Sequence, residues 1–230
     1  MSRGEVTVGG IVLCGGKSSR MGMAKATLPF GPELMLQRVV RLLQKVVRPI
    51  VVVAAATQEL PELPSDILTT RDEREGRGPL QGLHAGLLAL QDRVEAVFAT
   101  SCDVPLLQPA FVSRMIDELG DNDAAVPVQD GFHHPLAAVY RVSALPLIEE
   151  MLAADQLRPR MLYDRVATRL VSVNELRIVD AELATLKNLN HPSDYIEALR
   201  LAGFELLEEV SEHFSQLDLS ENHKDHGSGA

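Results

Sequence analysis

A chain of 230 residues that is 46% apolar and 23% charged can bury a substantial core, and none of its apolar runs approaches the eighteen or so residues of a membrane-spanning helix. Its net charge of −10 argues against a nucleic-acid-binding surface, which needs clustered Lys and Arg. Two cysteines make no disulfide framework, and Arg3 precedes a strand-like run with no small-residue cleavage site, so a cytoplasmic protein is expected.

The first element is residues 6–14, VTVGGIVLC, a buried strand. It breaks at Gly15 and Gly16 into a loop carrying Lys17, Arg20 and Lys25 with no acid among them. Residues 32–46 carry apolar side chains at helical spacing, 49–56 form a second buried strand and 66–70 a short third. A helix over 78–91 is entered through Pro79, a favoured first-turn residue. Residues 95–101 form another buried strand, followed by a Cys102–Asp103 loop and a helix over 109–120 with Gly120 at its C-terminal cap. Residues 124–128 and 134–140 flank a QDGF turn and predict an antiparallel hairpin. Helix 144–154, strand 168–173 and helix 192–203 follow.

Strands alternating with helices imply an α/β fold with a mainly parallel sheet covered on both faces, plus a small antiparallel addition in the second half. One domain over 1–204 is expected, followed by an extension over 205–230 that is helical to about Leu217 and disordered over 218–230. That extension holds seven acids against Lys224, a net −6, which leaves −4 on residues 1–204. The loop after the first strand is therefore a positive island in an acidic protein, suited to an anionic small molecule. Three turns bearing glycines or acids, at 14–25, 71–82 and 101–106, each follow a strand. Ligands of such sheets bind beyond the carboxyl ends of the strands, so the three predict one composite site.

Spacing removes two kinds of phosphate loop. A Walker A motif ending at Gly16–Lys17 needs a glycine where Ile11 stands. A dinucleotide fingerprint needs a third glycine before Gly22 and an acid after the second strand, where Ala54, Ala55 and Ala56 stand. What remains is a longer loop whose glycine amides approach a triphosphate while Arg20 and Lys25 neutralise different phosphoryl groups. LCGGKSSRMGMAK resembles the L-x-G-G-x-x-x-R-M-G-x-x-K signature of nucleotidyltransferases that join an NTP to a phosphorylated metabolite. Within that superfamily it is most similar to the molybdenum cofactor guanylyltransferases. RDEREGRGPLQGL (71–83), TSCDVPLL (100–107), HPLAAVY (134–140) and KNLNHPSDY (187–195) agree in order, so the resemblance covers about residues 8–200.

The resemblance implies a Rossmann-like three-layer sandwich of the nucleotide-diphospho-sugar transferase kind. It also implies transfer of GMP from GTP to molybdopterin, and Mg²⁺ as the cofactor. Catalytic roles fall to Lys25, Arg20 and Asp103. The nucleotide is expected to meet Leu13, Cys14, Gly15, Gly16, Lys25, Asp72, Gly78, Pro79 and Asp103. Asp103 and Asn188 are the expected metal ligands, since carboxylate and amide oxygens suit a hard cation, with Asn190 weighed as a ligand or as a cap of the last helix. Asp72 would accept from a guanine ring N–H and amine. Two positions depart from the family: Ala24 stands where an acid precedes the loop lysine, and no Asn follows the second strand.

One of His133 and His134, with Arg141 or Arg160, is assigned to the acceptor, whereas His213, His223 and His226 are expected to have no role. Cys14 and Cys102 should be neighbours, as a buried apolar pair or a redox switch. A monomer or weak oligomer is expected, with molybdoenzyme-maturation proteins as partners. The residues leave open a sister transferase using CTP or a sugar-phosphate acceptor, and a nucleotide-binding protein without catalysis.

Overall fold

The computed structural model describes residues 6–15, 21–72, 74 and 76–225. Its elements in chain order are β1 (Val8–Leu13), β2 (Pro29–Phe30), β3 (Glu33–Leu34), α1 (Met35–Leu43), β4 (Ile50–Ala55) and β5 (Ile67–Asp72). Next come α2 (Pro79–Leu90), β6 (Ala96–Ser101), α3 (Pro109–Leu119), β7 (Ala124–Gln129), β8 (Phe132–His133) and β9 (Ala138–Arg141). The chain closes with α4 (Leu145–Ala153), α5 (Arg160–Tyr163), β10 (Thr168–Ser172), α6 (Val173–Leu176), α7 (Pro192–Leu201) and α8 (Glu208–Asp225).

One sheet runs in the order β10-β7-β9-β6-β1-β4-β5, with β8 pairing β7 at its side. β6, β1, β4 and β5 are mutually parallel, and β9 is inserted antiparallel between β6 and β7. Because side chains alternate along a strand, β1 sends Val12 to one face and Ile11 and Leu13 to the other. Val12 packs with α1 and α3 residues such as Leu36, Val39, Phe111 and Met115. Ile11 and Leu13 pack with α2 and α4 residues such as Leu83, Leu87, Ile148 and Met151. These two apolar layers around a near-continuously buried sheet make the three-layer α/β sandwich.

Three local expectations shift. Helix α1 starts at Met35 rather than residue 32, because Pro29–Leu34 fold into the small β2–β3 hairpin. The tight hairpin is β7–β8, whose Asp130–Gly131 turn has φ of 49° and 79°, the left-handed pair of a type I′ turn. The predicted second strand of that hairpin is β9, which lies between β7 and β6. The terminal helix runs past Leu217 to Asp225, through a stretch with no Gly or Pro before Gly227. Among the described residues no helix is long and apolar enough to cross a membrane.

Candidate active site

The chain leaves β1 for β4 and β5 on one side, then crosses back to β6 on the other. The strand order therefore reverses between β1 and β6, and the crevice beyond their carboxyl ends is where such a sheet receives a ligand. Leu13 pairs with Ser101, so Cys14–Gly15 and Cys102–Asp103 emerge side by side.

Asp103 is the hub of this crevice. Its Oδ2 accepts from Lys25 Nζ at 3.0 Å, and the same ammonium donates to Asn190 Oδ1 at 2.9 Å. Its Oδ1 accepts from the Ser101 hydroxyl and, at 3.2 Å, from Asn188 Nδ2. The Leu189 amide donates to the Asp103 backbone carbonyl at 2.9 Å, which locks the 188–190 segment onto the strand exit. The side chains of Lys25 and Asp103 are 16% and 13% exposed, so their attraction is less screened than that of a surface pair.

Positive charge and hard oxygens thus already converge at one point. Asp103 Oδ2 and Asn190 Oδ1 both lie within 3.0 Å of a single cationic atom, Lys25 Nζ, and this donor chemistry fits a hard divalent ion. No cluster of three or more His, Cys, Asp or Glu suited to a metal occurs among the described residues. A cation here would rely on one carboxylate, amide oxygens and the oxygens of a bound phosphate, the usual manner for magnesium. Asn188, the expected partner of Asp103 on a metal, turns its amide nitrogen to Asp103, whereas Asn190 turns its oxygen to Lys25. Asn190 does not cap α7 with its side chain. The carboxylate of Asp194 takes that part, accepting from the backbone amides of Asn190 and His191.

Supporting residues come from distant segments. Asp180, buried, accepts from the amides of Ala184 and Thr185 at 2.8 and 2.9 Å and fixes the turn that leads into Asn188. Thr185 Oγ1 accepts in turn from the Gln108 amide. Arg38 donates to the Pro105 carbonyl at 2.7 Å, holding the loop after Asp103 against α1, while its guanidinium stacks over Phe30 and Phe204. Burial pushes the Arg38 guanidinium below its usual range. Ser101, Asp180 and Arg38 were not singled out in the sequence. Ser101 carries the one available signal, a hydroxyl at the end of the strand two residues before Asp103.

On the other side of Gly15 the neighbouring exits are those of β4 and β5, with Ala55 paired to Asp72. Asp72 Oδ1 accepts from the Arg74 amide, and Gly78 stands at the N-terminal cap of α2 just before Pro79. The position left by the missing Asn is shaped by Gln58 and Arg71. Gln58 Oε1 accepts from the Ala55 amide, and Arg71 donates to the carbonyls of Ala55 and Gln58. Leu13 and Cys14 are buried at the strand exit. Gly16, Lys17 and Arg20 lie outside the described residues.

Cys14 and Cys102 are free thiols, both buried, and they follow directly on the paired strands β1 and β6. Interaction with the Cys102 thiol, followed by burial, pushes the Cys14 thiol well above its usual range. Arg141 does not face the crevice: its guanidinium donates to the carbonyls of Gly120 and Asn122 and ties down the end of α3. His133 packs at a tilt against Tyr163, and His134 meets Phe132 edge-on. Arg160 is exposed at the start of α5.

Residues 10–179 match the family model of the MobA-like NTP transferase domain. A protein of Pelotomaculum thermopropionicum named probable molybdenum cofactor guanylyltransferase is 33% identical over 198 residues, covering 84% of this chain and 92% of its own. A protein of the same name from Mycobacterium bovis is 35% identical over 189 residues, covering 80% and 90%. Among solved structures, molybdopterin-guanine dinucleotide biosynthesis protein A from Archaeoglobus fulgidus superposes with a TM-score of 0.69 at 23% identity, covering 85% of this chain and 98% of its own. The 2-C-methyl-D-erythritol 4-phosphate cytidylyltransferase of Thermus thermophilus superposes with a TM-score of 0.59 at 17% identity, covering 86% and 99%. At these identities the two structures speak to the fold, which they share.

Proposed function

The chain belongs to the MobA-like NTP transferase family, and from that premise we propose that it transfers GMP from GTP to molybdopterin and releases pyrophosphate. The observation that carries this reading is the convergence of Lys25, Asp103 and Asn190 beside Gly15 at the strand-order reversal. The names borne by the Pelotomaculum and Mycobacterium relatives support the choice of base and acceptor.

In this reading the acceptor's terminal phosphate oxygen attacks the α-phosphorus of GTP in line. A new phosphorus–oxygen bond forms, the α–β bridge breaks, and the bond electrons leave with pyrophosphate. Such transfer depends on positioning and charge neutralisation and needs no covalent enzyme intermediate. Lys25 leaves Asp103 to neutralise the α- and β-phosphates. The Gly15 and Gly16 amides cradle the same phosphates and Arg20 the pyrophosphate end. Asp103 and the amide oxygens of Asn188 or Asn190 would hold Mg²⁺, which supplies Lewis-acid neutralisation of phosphoryl charge when bound. Asp72 accepts from the guanine edge, and the nucleoside lies across the exits of β4 and β5.

Pyrophosphate release, measured with each of the four NTPs and Mg²⁺, with and without molybdopterin, tests the reading. Release with GTP alone among the four, and only with molybdopterin present, is the expected result. Release with CTP, or with sugar phosphates as acceptors, would assign the chain to a sister reaction. No release under any condition, with nucleotide bound, would leave a binding protein without catalysis.

A further inference from the structure

We propose that the C-terminal helix α8 is a positioning element for the phosphate-binding loop, with His213 and Leu217 holding that loop from outside the family domain. The proposal rests on the assignment of residues 15–25 as the loop that binds the nucleotide's phosphates.

Buried apolar residues within four positions of Lys25, Asp103, Asn188 and Asn190 share one cluster. Met21 and Leu28 flank the segment bearing Lys25, Leu106 follows Asp103, and Leu189 separates Asn188 from Asn190. The cluster that joins them is closed by Tyr195 and Leu199 of α7 and by Val210 and Phe214 of α8. Residues 10–179 match the family model and the resemblance in sequence ends at about residue 200, so the α8 half of this wall is built from chain beyond both. Val210, His213, Phe214 and Leu217 recur at i, i+3, i+4 and i+7, so they form one stripe on an otherwise acidic helix.

The contact with the loop is direct. At Gly22, three residues before Lys25, a Cβ would lie 2.7 Å from His213 Nε2 and 2.8 Å from Leu217 Cδ1. Gly22 also has φ of +62°, a left-handed conformation that glycine adopts without penalty. The loop therefore turns against α8 at a residue that permits both the turn and the approach. His213 Nε2 is buried with no hydrogen-bond partner among the described residues. An unpaired buried nitrogen is a poor choice for plain packing, and its place against Gly22 assigns it to the loop.

The test uses the full chain carrying His213→Ala with Leu217→Ala. Glu212→Ala and Gln216→Ala, on the exposed side of the same helix, are controls. Nucleotide affinity is read by calorimetry, KM and kcat by pyrophosphate release, and exposure of the loop by the rate of tryptic cleavage after Lys25 without nucleotide. The double variant should weaken nucleotide binding and raise KM about tenfold while kcat changes less, and should speed cleavage about tenfold. His213→Gln with Leu217→Met, which restores volume and a polar group, should return both readouts toward the wild type. Affinity and cleavage equal to those of the controls would overturn the proposal. Cleavage needs no nucleotide, so a wild-type chain that bound none would refute the phosphate-loop assignment and leave the contact between α8 and the loop tested on its own.

Discussion

Replacing Lys25 with Met removes the ammonium that bridges Asp103 and Asn190 while keeping most of the aliphatic stem. At the observed separation of 3.0 Å the gross attraction to Asp103 is about 5.5 kcal/mol for an effective dielectric of about 20. Desolvating two groups whose side chains are 16% and 13% exposed offsets much of that. Asp103 keeps the Ser101 hydroxyl and the Asn188 amide as donors, which limits the penalty on the orphaned carboxylate. The net coupling between Lys25 and Asp103 should therefore be ~1–2 kcal/mol, above the ~0.2–1 kcal/mol of an exposed pair. A double-mutant cycle of Lys25→Met, Asp103→Asn and both together, by urea unfolding, measures it. A coupling indistinguishable from zero would refute the claim that this pair is held in a desolvated crevice. In the pyrophosphate-release assay the same Lys25→Met variant should lose about 10²–10³-fold in turnover, the magnitude of one removed charge-stabilising donor. Full activity would refute its assignment to the phosphates.

Three further outcomes follow from the packing and the titrations. Gly86→Ala should destabilise the fold by ~1–3 kcal/mol, because a Cβ there would lie 2.7 Å from Ile11 Cδ1 in a closely packed helix–sheet contact; urea unfolding that matches the wild type would contradict it. Burial pushes Tyr163 and Tyr195 up to about 12 and holds Tyr140 well above its usual range, whereas the unfolded chain ionises near 10. Their contribution to stability is thus full below about pH 10 and is lost as pH rises toward 12, which alkaline absorbance titration run beside urea unfolding will show. Cys14, with its thiol held neutral and buried, should be alkylated by iodoacetamide at neutral pH about a hundredfold more slowly in the native protein than in urea.

The sequence by itself determined the alternation of buried strands and helices, the break of β1 at Gly15, and the acid at the exit of β6. Those features are written in hydrophobic periodicity and turn chemistry, which act over a few residues. Motif spacing along one segment also excluded a Walker A loop and a dinucleotide fingerprint without reference to the rest of the chain. The tertiary structure decided which side chains meet. Asn188 and Asn190 sit two apart in the same short segment, and only packing at the Leu189 anchor turns the amide oxygen of Asn190 to Lys25, 165 residues away. Local pattern also gave no reason to set β9 between β6 and β7, since strand order is settled by which buried faces the long connections can bring together. The acidic tail is the sharpest case. Its composition reads as a solvated extension, yet Val210 and Phe214 seat it in the apolar cluster and His213 and Leu217 set it against Gly22, because a helix face finds its partner only when the sheet has already brought the loop beside it.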